Sequence, residues 1–194
     1  DALFASFNKT DSPGCVVVVV QNGNVVYKKG FGMANLDYDI PITSTSVFDI
    51  ASVSKQFTGM AIAMLVEERK IALTDDIRKY IPSLPDFGKK VTVRNLVDHT
   101  SGIRDWAAMM GYAGRDFEDV STYEEILRMA EHQRELNFAP GEEYTYSNTG
   151  YVLLAKIVEV VTKQKFADWT HANIFKPLGM NNTHFHDDYQ QIVK

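Results

Sequence analysis

The sequence predicts an α+β protein in which an antiparallel sheet is flanked by helices and joined to a helical region. β-rich runs occur only in the first part of the chain, at about 14–20 and 24–31. After Ser52 almost every segment has the pattern of a helix or a loop. A strand-rich start followed by a helical remainder is typical of this class.

The first predicted element is a hairpin over about 14–33. Asn22-Gly23 lies between the two β-rich runs, and Asn-Gly in that position is a strong hairpin signal because both residues tolerate a positive φ. The single cysteine, Cys15, adjoins the apolar run 16–20. It has no partner for a disulfide within the chain and is predicted to be a small buried side chain.

A core-facing helix is predicted next, over about 52–68. Its signal is an apolar stripe with i, i+3, i+4 spacing. The stripe consists of Phe57, Met60, Ala61, Met64 and Leu65.

The remaining helical region is predicted over about 74–180 from caps, apolar spacing and terminating residues. Pro177 and Gly179 end its last helix. The first three predicted helices begin at 74–77, after the cap Thr92 and at the capping box Ser121-Thr-Tyr-Glu124, and two more lie at 151–161 and at 167–175.

Composition limits the classes of partner. The 194 residues are 45% hydrophobic, which is enough for one domain with a substantial core. A net charge of −5 without a basic cluster argues against nucleic acid. No apolar stretch has the length of a membrane span. Localisation stays open: secreted or periplasmic if a signal peptide preceded Asp1, otherwise cytoplasmic.

The pattern with the most chemical content is Ser52-Val-Ser-Lys55. On a helix, positions i and i+3 share a face, so the Lys55 amine can reach the Ser52 hydroxyl and help to deprotonate it. The helix N-terminus would also stabilise an oxyanion that forms beside Ser52. Ser6-Phe-Asn-Lys9 has the same spacing but runs into a loop-like cluster, so we interpret it as a chance match.

Tyr146-Ser-Asn148 supplies a phenol and an amide. A phenol close to a Lys55 ammonium has a lowered pKa and can act as a general base for Ser52. Each residue also has a structural interpretation. Tyr146 taken alone would be a core aromatic, and Asn148 could cap a helix that starts near Gly150.

These motifs resemble those of the serine β-lactamase and penicillin-binding-protein superfamily, whose signature includes Ser-x-x-Lys. The Tyr-x-Asn pattern resembles the class C-like branch, which includes class C β-lactamases, DD-peptidases, D-aminopeptidases and family VIII esterases. The resemblance covers nearly the whole chain. The segments that carry it, in order, are 30–43, Phe48-Asp-Ile-Ala-Ser52-Val-Ser-Lys55-Gln-Phe-Thr58, Leu96-Val-Asp-His-Thr-Ser-Gly102 and Pro140-Gly-Glu-Glu-Tyr-Thr-Tyr146-Ser-Asn148.

The resemblance implies a β-lactamase/transpeptidase-like fold and a serine hydrolase that acts through an acyl-enzyme on an ester, amide or lactam carbonyl. It implies Ser52 as nucleophile, Lys55 and Tyr146 as the groups that handle its proton, and Asn148 as a ligand of the substrate amide or of Lys55. It implies a small-molecule or peptide substrate and no metal or organic cofactor. Which substrate is used cannot be read from these motifs.

One family motif is not found. A Lys or His followed by Ser, Thr or Gly and then Gly does not occur after Tyr146. His99-Thr-Ser-Gly102 fits superficially but is interpreted as a helix-ending turn, with His99 as a structural histidine. We therefore expect residues 1–194 to be the N-terminal portion of one catalytic domain that lacks its C-terminal strands. Those strands would come from the same polypeptide or a neighbouring chain.

Two alternatives to a hydrolase of this kind remain open. A covalent β-lactam sensor would use the same motifs but deacylate too slowly to turn over. A zinc hydrolase would use His184 and His186, in a run that is similar to the ligand motif of metallo-β-lactamases, although Tyr189 stands where a last histidine belongs. We interpret this run mainly as a polar surface loop.

Overall fold

The structure, a computed structural model, describes residues 1–116, 119–188, 190 and 193. The chain divides into two compact units. The strand unit contains residues 1–49 and Val193, and the helical unit contains the described residues between Ile50 and Gln190. The predicted α+β class is confirmed.

The strand unit is built on the predicted hairpin. Strands β1 (Cys15–Gln21) and β2 (Asn24–Phe31) pair antiparallel, with Gln21 opposite Asn24. The two residues between them, Asn22 and Gly23, have φ values of 50° and 77°, which suit a two-residue turn.

The strand unit differs from the prediction in three details. A second, shorter ribbon pairs β3 (Met33–Asn35) with β4 (Ile40–Pro41), and a 3₁₀ helix (Ala2–Phe7) precedes the hairpin. Cys15 is a free thiol that is only half-buried, as are the next two residues of β1. The prediction of a buried Cys15 was therefore wrong.

The helical unit contains six α-helices among its described residues. The long helix α5 packs against α1, α2 and α4, and its Leu153 is fully buried, as is Leu65 of α1. Apolar stripes on these helices thus form one core. The bounds are α1 Lys55–Glu67, α2 Val93–Val97, α3 Trp106–Tyr112, α4 Tyr123–Glu131, α5 Asn148–Thr162 and α6 Phe166–Thr170.

Short helical turns extend this set. A 3₁₀ turn (Ala51–Ser54) leads into α1, another (Ile77–Lys79) follows Asp76, and a π-helical turn (His171–Phe175) continues α6. Among the described residues, no helix combines the length and apolar character needed to cross a membrane.

Capping groups set where several helices begin. Thr92 accepts from the backbone N–H of Asn95 at 3.2 Å and caps α2, as predicted. The cap of α4 is Thr122, one residue after the predicted Ser121, and it accepts from the N–H of Glu125 at 3.2 Å. Helix α3 was not predicted.

Candidate active site

The candidate nucleophile lies where a 3₁₀ turn becomes helix α1. Ser52 is in the turn Ala51–Ser54, and Lys55 is the first residue of α1. The Lys55 Nζ donates a hydrogen bond to Ser52 Oγ at 3.1 Å. The helix therefore begins later than the predicted Ser52, but the i, i+3 relation between the two side chains is kept.

The Tyr146–Asn148 segment brings two further side chains to this pair. The Tyr146 hydroxyl donates to Ser52 Oγ at 2.6 Å, and Lys55 Nζ donates to Asn148 Oδ1 at 2.8 Å. All four predicted site residues are thus brought together within the helical unit. Ser52 Oγ faces two groups that can exchange protons with it, while Asn148 holds the amine.

The ionisation of Tyr146 is set by competing effects. Burial alone would raise the pKa of its phenol, but hydrogen bonds to Lys55 and Ser52, together with the Lys55 charge, outweigh burial and lower the pKa from its usual value. Lys55 Nζ also lies 4.8 Å from the centre of the Tyr146 ring and 5.5 Å from that of Tyr151. These faces attract an ammonium group.

Asn148 does not cap helix α5. The cap is Ser147, whose Oγ accepts from the backbone N–H of Gly150 at 3.3 Å. Asn148 is the first residue of α5, and its side chain is directed to Lys55. The alternative interpretation of Asn148 as a helix cap was wrong, because the preceding serine takes that role.

Asp105 also supports the site, although the sequence analysis did not identify it. Its Oδ1 accepts from the backbone N–H groups of Ala107 at 3.0 Å and Ala108 at 3.3 Å and so caps α3. Its Oδ2 accepts from the backbone N–H of Asn148. An Asp directly before the apolar start of α3 was the available signal, but that signal predicts only the cap.

His99 lies against the site, although it was predicted to be structural. Its Nδ1 accepts from the backbone N–H of Ser147 at 3.1 Å. Its ring stacks on Tyr146 at 4.6 Å and on Tyr151 at 5.0 Å between ring centres. Within the described part of the chain, His99 makes no hydrogen bond to Ser52, so its contacts are those of a supporting residue.

The competing motifs are placed differently. Ser6 lies in the 3₁₀ helix Ala2–Phe7 of the strand unit. The rings of His184 and His186 are 5.9 Å apart. Within the described ranges, no group of three His, Cys, Asp or Glu side chains is arranged to hold a metal ion. Tyr189 lies outside the described residues.

Fold and site together define a β-lactamase/transpeptidase-like domain. The profile of the family described as Beta-lactamase matches residues 1–192. The chain belongs to the Beta-lactamase family.

Relatives extend this result. The chain is 34% identical over 182 residues to Penicillin-binding protein 4* of Bacillus subtilis (strain 168), which covers 93% of this chain and 40% of the relative. The structure of an octameric penicillin-binding protein homologue from Pyrococcus abyssi matches with a TM-score of 0.77 and 38% identity, over 86% of this chain and 39% of that one.

A third similarity is to the D-amino acid amidase of Ochrobactrum anthropi SV3 in complex with L-phenylalanine. The TM-score is 0.71 with 27% identity, over 92% of this chain and 49% of the amidase. The chain therefore spans about two fifths to one half of the length of these relatives.

Proposed function

We propose that the protein is a serine hydrolase that acts through an acyl-enzyme, with Ser52 as nucleophile, Lys55 and Tyr146 as its proton-transfer partners and Asn148 as the residue that holds Lys55. The observation that carries the proposal is the pair of contacts at Ser52 Oγ, 3.1 Å from Lys55 Nζ and 2.6 Å from the Tyr146 hydroxyl. A serine hydroxyl needs such an adjacent base to react.

The chemical steps follow from these contacts. With the Tyr146 phenol deprotonated and Lys55 charged, the Ser52 hydroxyl passes its proton to Tyr146 as Oγ attacks the substrate carbonyl carbon. The tetrahedral oxyanion then collapses, the bond to the leaving group breaks, and Tyr146 returns the proton to the leaving group. Water repeats the sequence at the acyl-Ser52 ester and releases the acid.

The positive charge of Lys55 has a defined role in this scheme. It lowers the pKa of Tyr146 and keeps a cation beside the oxygen that loses its proton. The Asn148 amide oxygen accepts from Lys55 Nζ at 2.8 Å and so fixes the amine in place. The backbone N–H of Ser52 is proposed as one donor to the oxyanion.

An amide or lactam carbonyl is the favoured substrate class. The names of the relatives include penicillin-binding proteins and a D-amino acid amidase. An ester remains an alternative, because a solved relative with 25% identity and a TM-score of 0.74 is described as EstCE1, a hydrolase with promiscuous acyltransferase activity. The choice depends on loops that shape the pocket.

Covalent labelling tests the nucleophile. In the complete protein, a fluorophosphonate probe or penicillin should add to Ser52, which intact mass and peptide mapping would locate. Ser52→Ala should abolish the adduct, whereas the matched variant Ser6→Ala, which removes the serine of the second Ser-x-x-Lys pattern, should keep it. An adduct that persists in Ser52→Ala would refute the proposal.

The sensor alternative is tested by turnover. Nitrocefin, p-nitrophenyl acetate and a D-Ala-D-Ala peptide would be followed at substrate excess. A hydrolase continues past one equivalent of product, whereas a sensor stops after a burst. Loss of activity with a chelator together with retained activity in Ser52→Ala would favour the zinc alternative.

A further inference from the structure

We propose that His99 is a positioning residue whose neutral imidazole, through Nδ1, holds Tyr146 and Asn148 in the geometry that acylation of Ser52 requires. This inference rests on the proposed function, since it concerns the same site. It assigns to His99 a role beyond packing.

Two backbone N–H groups, one before and one after Tyr146 in the chain, donate hydrogen bonds to His99. The N–H of Thr145 donates to the His99 carbonyl oxygen at 3.0 Å, and the N–H of Ser147 donates to Nδ1 at 3.1 Å. The imidazole also stacks on the Tyr146 ring, with 4.6 Å between centres and 28° between planes. One residue therefore fixes the backbone before and after Tyr146 and one face of its ring.

The loop that carries His99 is itself held closely against the chain that leads to Tyr146. Its Thr100 carbonyl accepts from the N–H of Gly141 at 2.8 Å, and its Gly102 carbonyl accepts from the N–H of Asn137 at 2.8 Å. Gly102 has a φ of 73°, and a Cβ there would lie 2.3 Å from the Phe138 carbonyl oxygen. Only glycine at this position allows the two segments to come this close. Their contact holds the loop that carries His99 rigidly in place.

The contact with Ser147 requires an uncharged ring. A histidine nitrogen accepts a hydrogen bond only when it carries no proton, and the charged form has a proton on both nitrogens. Protonation would direct an Nδ1 proton at the Ser147 N–H and break the bond. Ser147 caps α5, so both of its neighbours, Tyr146 and Asn148, would move.

The groups around His99 favour its neutral form. Burial lowers the pKa of the imidazole, and the Lys55 ammonium on α1 lowers it further. The carboxylates of Asp105 and then Asp98 favour the charged form without overcoming these effects. The Ser147 contact does not favour the charged form, because an N–H directed at Nδ1 needs a nitrogen without a proton. The other titratable groups that face the ring are the phenols of Tyr144, Tyr146 and Tyr151.

Two substitutions separate the acceptor from the backbone geometry. His99 has a φ of 57°, a conformation that both Asn and Gly tolerate. In His99→Asn the amide oxygen takes the position of Nδ1, whereas His99→Gly leaves the Ser147 N–H without a side-chain acceptor. Both lose the ring, so they differ in the side-chain acceptor and in the greater backbone freedom of glycine.

The readout is the rate of acylation of the complete protein by p-nitrophenyl acetate and by a fluorophosphonate. His99→Asn should lose less than about tenfold, the scale of one modest hydrogen-bond change. His99→Gly should lose about a hundredfold, the scale of a misplaced reacting group. Equal losses in the two variants would overturn the proposal.

The pH dependence adds a signature that a purely structural role would not produce. As the pH falls through the His99 pKa, the wild type loses the acceptor for the Ser147 N–H, but His99→Asn keeps one. The ratio of wild-type to His99→Asn rates should therefore fall at acid pH. A ratio that stays constant over the range in which circular dichroism shows both proteins folded would contradict the proposal.

Failure of this inference can be told from failure of the proposed function. If Ser52→Ala retains covalent labelling, the nucleophile is misassigned and the proposed function falls. If Ser52→Ala is inert but His99→Asn and His99→Gly are equally impaired, only the role of Nδ1 is refuted.

Discussion

The strand unit and the helical unit use apolar residues in opposite ways. In the helical unit, Leu65 and Leu153 are fully buried in a shared core. In the strand unit, Val18, Val19 and Val20 of β1 remain 48%, 46% and 61% exposed. Both segments are apolar in sequence, but only the helices bury their apolar stripes within the described residues.

The candidate active site belongs to the unit with the buried core and not to the hairpin. The four candidate site residues and their supports, His99 and Asp105, lie in the helical unit and are connected by hydrogen bonds within it. We infer that local site geometry depends on the helical core, whereas the hairpin, with its exposed valines, needs a further partner to be stable.

The largest expected effect comes from breaking the site itself. Lys55→Ala and Tyr146→Phe should each lower the acylation rate on the order of a hundredfold or more, as loss of a general base does. The two act as a unit, so the double variant should lose much less than the product of the single losses. Single-turnover kinetics on the complete protein measure this.

The pH profile sharpens the same prediction. In the proposed mechanism, Tyr146 accepts the Ser52 proton only in its deprotonated form. Because the pKa of Tyr146 is lowered, the wild-type rate should rise with pH and reach its plateau below the usual pKa of a phenol. Lys55→Ala should shift this rise to higher pH, since the hydrogen bond and the charge of Lys55 that lower the Tyr146 pKa are gone, while the Ser52 hydrogen bond remains. An unshifted rise, or near-wild-type acylation in either single variant, would contradict the assignment.

Local signals predicted much of both units because they depend on few residues. Asn22-Gly23 was enough for the hairpin turn, and Thr92 for the start of α2. Ser52 and Lys55 are adjacent through helical spacing alone, so their contact was predictable. Tyr146 was linked to them through the family resemblance.

Contacts between distant segments were not predictable in this way. Asp105 bonds to the N–H of Asn148, and His99 to the N–H of Ser147, across more than forty residues of chain. No spacing rule connects such positions. The one-residue error at the cap of α4 has another cause, since Ser121 and Thr122 are both good caps and only the backbone decides between them.

A second prediction compares one apolar side chain from each unit. Leu153→Ala removes a fully buried side chain and should cost roughly 2–5 kcal/mol of unfolding free energy. Val20→Ala removes a side chain that is 61% exposed and should cost less than about 0.5 kcal/mol in a polypeptide of residues 1–194. Urea denaturation followed by circular dichroism measures both.

The same pair of variants then tests what covers the hairpin. We expect further strands, from the rest of the polypeptide or a neighbouring chain, to pack against it, so Val20→Ala should become more costly in the complete protein, by about 1 kcal/mol. Leu153→Ala should cost the same in both. A 1–194 polypeptide that is monomeric, cooperatively folded and as active as the complete protein would refute this expectation.

The smallest expected effect compares polar contacts at the surface of the two units. In the helical unit, the Asp75 carboxylate accepts from the Tyr80 hydroxyl, from the Ala72 N–H at 2.9 Å and from Lys79 Nζ at 3.0 Å. In the strand unit, Lys29 pairs with the exposed carboxylate of Asp1 at 2.7 Å. The Asp75 carboxylate has more donors and less solvent around it than the Asp1 carboxylate, so its contacts should contribute more to the unfolding free energy.

These contacts make the contribution of Asp75 to the unfolding free energy depend on pH. The hydrogen bond from Tyr80, then those from Ala72 and Lys79, lower the pKa of Asp75 to about 2. A carboxylate with a lowered pKa stabilises the fold at higher pH and loses that contribution as the pH falls through the folded-state value.

Asp75→Asn should therefore cost about 1 kcal/mol of unfolding free energy near neutral pH. This cost is low for a charged hydrogen-bond network because solvent screens the charges. The difference from wild type should close as the pH approaches about 2. Lys29→Met should change the unfolding free energy by less than about 0.5 kcal/mol. Urea titrations at several pH values measure these differences, and a constant cost of Asp75→Asn down to acid pH would assign the effect to packing instead of charge.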